Sequence, residues 1–351
     1  MSRLATRRSL RLCATVLAVA AILPLGGCAH VFPTAAAPPV LSADPPRRPG
    51  KPLVLVAMPD SPSFHAVRRT LVNELKKDFD VQTQLVDTRT TAQSFGDTLE
   101  HSGASAVVVM DNRTIKLYRG YQAARAAGAA IGPGIPAVVA MSSFLEEMHP
   151  QIPNSTGVTY EVPGVSAFVR LRDIVKTPVR RVGVIHRPVF RAFIERQRAL
   201  AAKEQIELVA IPVSADPDPR EVQAALRKLK GGAPIDALWV LNDNRLLQGA
   251  EFLETAWRAG AAALDAPVIV GVAALVSEEA HFGTFAVVPD LDALGVQTAN
   301  LVFELADRQW SAEGIPVELP ISTLTVANIR EIRLRFGLRE GALQRIDRVV
   351  E

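Results

Sequence analysis

From Lys51 onward, short apolar runs alternate with amphipathic stretches. The β-rich runs are Leu53–Met58, Val81–Val86, Ala106–Met110, Ala137–Met141, Val182–Ile185, Glu207–Pro212, Ala237–Leu241 and Val268–Val272. Several are apolar throughout, the pattern of parallel strands covered on both faces. Between them apolar residues recur at helical spacing and predict helices: Phe64, Val67, Leu71 and Leu75; Phe190, Phe193, Ile194 and Leu200; Leu291, Leu294, Leu301, Val302 and Leu305. Asp218-Pro219-Arg220-Glu221 predicts a helix start, with an acidic cap, Pro at the first helical position and Glu three residues after the cap. Asp290 is placed to cap the helix that begins at Leu291.

Strand–helix–strand order with short links implies right-handed βαβ units and parallel sheets. The series runs twice, over 53–141 and 179–272, with Gly157–Pro163 between the runs. This predicts an α/β protein of two similar lobes facing each other; one continuous sheet of ten strands is the structural alternative.

The first residues read differently. Arg3, Arg7, Arg8 and Arg11 precede an apolar run from Leu12 to Leu25 and then Gly26-Gly27-Cys28. A basic start, a short apolar core and small residues at its end make a secretory signal, 1–27. A bilayer-spanning helix needs roughly 20 apolar residues, and this run is shorter. Leu25-Gly26-Gly27-Cys28 resembles a bacterial lipobox, which implies lipidation of Cys28. From 28 to 51 the chain is rich in Pro and Ala, with no periodicity, and reads as a tether. The two cysteines are Cys13 and Cys28, so the mature chain is expected to rely on packing, without disulfides or cysteine metal sites. The formal charge of +3 also belongs to the signal: without its four arginines the remainder carries −1. That balance gives no electrostatic footprint for nucleic acid.

Catalytic motifs are not found. There is no His-Glu-x-x-His, no Walker loop and no Gly-x-Ser-x-Gly elbow. The six histidines are scattered, and no metal, cofactor or nucleophile–base pair is implied. A binding role, not an enzymatic one, is therefore expected. In open α/β sheets ligands sit beyond the carboxyl ends of the strands. That rule selects Asp60, Ser61 and Ser63 after the first strand, Asp111 and Asn112 after the third, Ser142 and Ser143 after the fourth, and His186 and Asn242-Asp243-Asn244 in the second lobe. Short polar groups orient a ligand, Asp243 offers a charge to a ligand ammonium, and helix amides after Ser63 or Ser143 suit a carboxylate.

Gly157-Val158-Thr159-Tyr160-Glu161-Val162-Pro163, Val182-Gly183-Val184-Ile185 and Ala237-Leu238-Trp239-Val240-Leu241-Asn242-Asp243-Asn244 follow one another at intervals that resemble the tryptophan-binding-type family of ABC-transporter substrate-binding proteins. Pro289-Asp290 through Leu294-Gly295 and the run ending at Ile321–Val326 also resemble that pattern. The resemblance implies a type I periplasmic-binding fold: two Rossmann-like lobes joined by three crossovers, gripping a small solute, often an amino acid. It implies an N-terminal lobe of 52–160 completed by about 287–312, and a C-terminal lobe of 161–286 completed by about 313–338, with a tail at 339–351. It also implies that Thr159 and Tyr160 lie at the crossover beside the cleft and that Asp243 and Asn244 contact the solute. The expected protein is then a monomeric, lipid-anchored binding protein on the periplasmic side of the envelope, delivering its solute to an ABC permease. Ala29 after the lipidated cysteine resembles an outer-membrane sorting context. Arg113, Lys116 and Arg119 after the third strand, and Val272 where the family commonly has an acid, depart from the pattern. They motivate an alternative: an envelope lipoprotein that reuses this fold to bind another protein.

Overall fold

The computed structural model describes residues 50–128, 134–232, 234–277, 279–280 and 282–351. The expected signal, the lipidation site at Cys28 and the tether up to 49 lie outside the described residues.

In chain order, β1 (Leu53–Met58), α1 (Pro62–Leu75), β2 (Asp80–Leu85), α2 (Ala92–Ser102), β3 (Ala106–Met110), α3 (Asn112–Ala127), β4 (Ala137–Ala140), α4 (Leu145–Met148) and β5 (Ser155–Val158) build most of the first lobe. The chain then enters the second lobe with α5 (Gly164–Ile174), β6 (Arg181–His186), α6 (Arg191–Lys203), β7 (Glu207–Pro212), α7 (Pro219–Gly231), β8 (Ala237–Val240), α8 (Ala250–Phe252), α9 (Ala259–Ala262), β9 (Val268–Val270) and β10 (Phe285–Pro289). It returns to the first lobe for α10 (Leu291–Asp307) and β11 (Val317–Glu318), and ends in the second with β12 (Thr323–Asn328), α11 (Ile329–Glu331) and β13 (Arg348–Val350).

Among the described residues the strands form two separate sheets, not one continuous sheet. The first runs β11-β5-β4-β3-β1-β2, all parallel; the second runs β13-β12-β10-β9-β8-β6-β7, with β10 and β12 antiparallel. The apolar runs are the cause. All six residues of β1 are buried, and the strand's period of two sends Val54, Val56 and Met58 to the core under α1 and α10. Leu53, Leu55 and Ala57 face the opposite core, with Phe95, Leu99 and Tyr118 of α2 and α3. Asp218 caps α7 as expected, accepting from the Glu221 amide, but the Glu221 carboxylate turns to the amide and hydroxyl of Ser214 instead of closing a capping box. Asp290 caps α10 through the amides of Asp292 and Ala293.

Three crossovers join the lobes, and they are tied to one another. The Thr159 amide donates to the Glu318 carbonyl (2.9 Å), linking the first to the third. The Asp290 amide donates to the Ser322 carbonyl (3.0 Å), linking the second to the third. Gln297 of α10 braces the third crossover, donating to the Leu319 carbonyl (2.9 Å) and accepting from the Ile321 amide (3.2 Å). The chain leaves the second sheet only after Pro289 and the first only after Glu318, somewhat later than the sequence boundaries of 287 and 313. Residues 339–351 are not a free tail, because β13 pairs in parallel with β12.

Helix α10 completes the first lobe by lying against α1, and Gly295 sets how closely they approach. A Cβ there would stand 2.7 Å from the Val67 carbonyl oxygen and 2.9 Å from the Thr70 Cβ. Backbone cannot yield as a side chain does, so Gly295→Ala is expected to destabilise the protein by about 1–3 kcal/mol in urea denaturation. An unchanged midpoint would show that this contact does not set the packing.

Candidate functional site

The loop after β4 is the part of the first lobe that reaches across. Ser143 Oγ accepts a 2.9 Å hydrogen bond from Asn242 Nδ2 of the second lobe. Phe144 stands at φ 57°, a left-handed conformation uncommon for a bulky residue. Its ring stacks on Phe190 with centroids 4.0 Å apart, meets Phe193 edge-on at 5.2 Å, and is part of the second lobe's core. Beyond it, Arg196 of α6 pairs with Glu146 (3.4 Å) and with Glu147.

The first lobe holds this loop from behind. Asn112 accepts from the Ser142 hydroxyl (3.0 Å) and the Ser143 amide (2.8 Å) and donates to the Ser143 carbonyl (3.1 Å). Asp111, at φ 83°, caps α3 by accepting from the Thr114 amide (2.9 Å) and the Arg113 amide. Burial pushes the Asp111 carboxyl up, and these amides oppose the shift.

The first crossover supplies the other wall. Glu161 Oε2 accepts from the Phe144 amide at 2.7 Å, while Oε1 is shielded from solvent and has no hydrogen-bond partner. Burial pushes the Glu161 carboxyl up to about 8; the Phe144 amide, its own amide and the Ser143 hydroxyl oppose the shift and Glu146 adds to it. Burial, reinforced by Glu161, pushes the Tyr160 hydroxyl up to about 12. Thr159 is buried, and its hydroxyl donates to the Glu161 carbonyl at 3.3 Å.

Two cavities flank this crossover. The larger, about 200 Å³, is lined by Glu146, Glu147, Thr159, Glu161, Arg196 and Leu200 among others. The smaller, about 30 Å³, lies at the carboxyl ends of β8 and β9 and is walled by Phe144, Tyr160, Glu161, Phe193, Trp239 and Asn242. That is water-sized room. Gly164 lets α5 close in on this wall: a Cβ there would stand 2.9 Å from the Trp239 ring.

The residues selected from the sequence divide. Asn112, Ser142, Ser143, Thr159, Tyr160 and Asn242 gather around Phe144 and Glu161, with Asp111 one shell behind. Asp60 is exposed and meets His65 at 2.7 Å, Ser61 gives α1 no side-chain cap, and neither these two nor Ser63 lines either of these two cavities. His186 is buried, with Nδ1 3.0 Å from the Arg187 carbonyl oxygen, and Asn244 is exposed.

Asp243 requires a correction. It is 2% exposed, and its oxygens accept from Arg187 Nε (2.6 Å) and Nη2 (2.8 Å) and from the Arg245 amide (3.0 Å). A carboxylate buried that deeply needs a paired cation, and Arg187 is that cation, so its charge is not open to a ligand ammonium. The Ser143 amide, expected to suit a carboxylate, is likewise taken by Asn112. Arg113 donates to the carbonyls of Asp87 (3.0 Å) and Thr90 (3.5 Å) and so fastens the loop before α2. Sequence reasoning missed Phe144, Glu161, Phe193, Arg196 and Trp239. Glu161, an acid in the otherwise uncharged Gly157–Pro163, was the visible signal.

Phe144 carries the loop's ring contacts into the second lobe's core. Its truncation in Phe144→Ala is expected to cost the closed arrangement about 3 kcal/mol. Small-angle scattering of the ligand-free variant should give a larger radius of gyration than the unaltered protein; an equal radius would mean that the ring does not hold the lobes together.

No family model matches the chain, and no curated protein matches it. Solved structures do match. One is a domain in complex with L-Trp from Streptococcus pneumonia, 18% identical, covering 86% of this chain and 100% of that one at a TM-score of 0.59. A conserved domain protein from Vibrio cholerae is 18% identical over 85% of this chain and 99% of its own, at 0.57. The ligand-free, open structure of a substrate-binding protein with adhesive properties from Clostridium difficile is 16% identical over 86% and 99%, at 0.59. With two α/β lobes, three crossovers and these likenesses, the chain has the type I periplasmic-binding fold seen in ABC-transporter solute-binding proteins.

Proposed function

We propose that this protein is a lipid-anchored, extracytoplasmic solute-binding protein of an ABC importer. The supporting observation is the cavity-bearing seam at the carboxyl ends of the strands, where the loop after β4 meets the second lobe beside three linked crossovers. Two lobes on such a hinge bind by population shift: a solute touching both favours the closed state by its differential affinity. No bond is made or broken. Cavities of this size suit a small solute, and the fold likeness to a domain in complex with L-Trp supports an amino acid or a molecule of similar bulk. The signal at 1–27, lipidation of Cys28 and the tether would hold the lobes at the membrane; among the described residues no helix is long and apolar enough to cross one. Ala29 favours the outer membrane as the anchor's leaflet system.

One observation favours a second reading. Phe144 seats its ring in the second lobe's core and leaves only about 30 Å³ at the carboxyl ends of β8 and β9, as a fold kept shut for contact with another protein would require. The likeness to a substrate-binding protein with adhesive properties is consistent with such use.

Thermal shift and calorimetry across the amino acids, their decarboxylated amines and small carboxylates test the first reading; saturable binding by at least one is expected. Crosslinking in the intact envelope should recover a permease. Silence across the panel, together with recovery of a different protein, favours the second reading. Metabolic labelling with palmitate should mark the chain, and Cys28→Ser should abolish the label; a label that persists would refute the anchor.

A further inference from the structure

Glu161 is the unusual group of the seam. It lines both cavities, and its Oε1 is shielded from solvent with no partner, although buried carboxylates ordinarily acquire one. Arg196, the cation in the wall of the larger cavity, is already engaged by Glu146 and Glu147. That cavity therefore has three carboxylates and one guanidinium in its wall. Apart from Thr159 and Gln197, the rest of its lining is apolar; Phe144 and Phe193 line both cavities and Trp239 the smaller one, and ring faces attract cations. A ligand carboxylate finds no unpaired cation here, since Arg187 is held by Asp243 and the Ser143 amide by Asn112.

Resting on the solute-binding reading, we propose that the solute carries a cationic nitrogen on an apolar or aromatic body, and that Glu161 is the residue that receives that nitrogen. The solute class is thus the amines, with no carboxylate required. Opening the lobes would withdraw the loop after β4, and with it the Phe144 amide that now occupies Oε2. An ammonium arriving at Glu161 while the lobes are apart supplies the counter-charge that the ionised carboxyl lacks, and on closure it keeps Oε1 while the Phe144 amide returns to Oε2.

The proposal also predicts a proton. With its carboxyl pushed up to about 8, Glu161 holds a proton in the free protein at neutral pH. An ammonium is bound by the carboxylate, so binding releases that proton. The groups facing Glu161 do not mimic this: Glu146 and Glu147 are paired with Arg196, and Tyr160 is pushed up to about 12. Affinity for an amine should accordingly rise with pH by up to about tenfold per unit below pH 8 and level off above it.

The experiment is calorimetry on the full chain with phenethylamine, phenylacetate and L-phenylalanine, repeated with the other decarboxylated amines and matched carboxylates. Titrations are run in buffers of different ionisation enthalpy to count released protons. The expected result is binding of an amine with proton release, at least tenfold weaker in Glu161→Gln and there independent of pH. Gln resembles the protonated acid in shape, so the variant is expected to melt no lower than the unaltered protein; Glu161→Asp should restore part of the affinity and the proton release. The proposal is overturned, with solute binding intact, if carboxylates bind and amines do not, or if Glu161→Gln binds the amine as tightly as before. If no member of the panel binds, the proposal and the solute-binding reading fall together.

Discussion

Everything at the seam depends on the chain passing between the lobes three times and on those passages being hydrogen-bonded to one another. Thr159 to Glu318 and Asp290 to Ser322 are backbone links, so they persist whatever side chains surround them. They confine relative motion of the lobes to rotation about a narrow strip. A rotation of that kind leaves the strip nearly still and moves the outer loops most. Glu161 lies on the strip, whereas Phe144 and Arg196 lie off it on opposite lobes. The acid therefore keeps its place while the loop after β4 and the face of α6 separate.

The electrostatics follow from the same geometry. Second-lobe charge is arranged before any ligand arrives: Arg187 and Asp243 form a two-pronged pair, and Arg187 also lies 5.3 Å over the Phe190 ring. That pair fixes the loop after β8, from which Asn242 reaches Ser143. By contrast, Glu161 on the strip accepts from the Phe144 amide of the first lobe through Oε2, while its Oε1 is shielded from solvent without a hydrogen-bond partner. Burial with incomplete satisfaction is what holds its proton. The contrast between a fully paired acid and a half-paired one, only a few residues from a common cleft, separates a structural carboxylate from a responsive one.

Much of the architecture was legible because it is written in periodicity. Leu53–Met58 and Ala106–Met110 are strands with the bounds that their apolar runs suggested, and the stripe of Val67, Leu71 and Leu75 faces the core. Less legible were β5, where Ser155-Thr156-Gly157-Val158 has too little apolar content to stand out, and β13, where Arg348-Val349-Val350 lies at a sheet edge. The site was legible in outline only. Loops at strand ends are polar whether they bind or cap, so Asp60 and Asn112 looked alike, though one meets His65 at the surface and the other buttresses the bridging loop. Asp243 looked free because its partner, Arg187, is distant in sequence. Phe144 went unnoticed because an aromatic in a loop carries no periodic signal; only its left-handed backbone and its place in the other lobe's core give it meaning.

The return of α10 and β11 to the first lobe has a consequence for how the molecule is made. Until α10 arrives, Val67 and Leu71 of α1 lack the α10 side of their core, and until β11 arrives, β5 is an open sheet edge. Both segments emerge only after the entire stretch from α5 to β10 has been synthesised. Neither half is therefore an autonomous folding unit, and a nascent chain must keep sticky surface shielded for much of its synthesis.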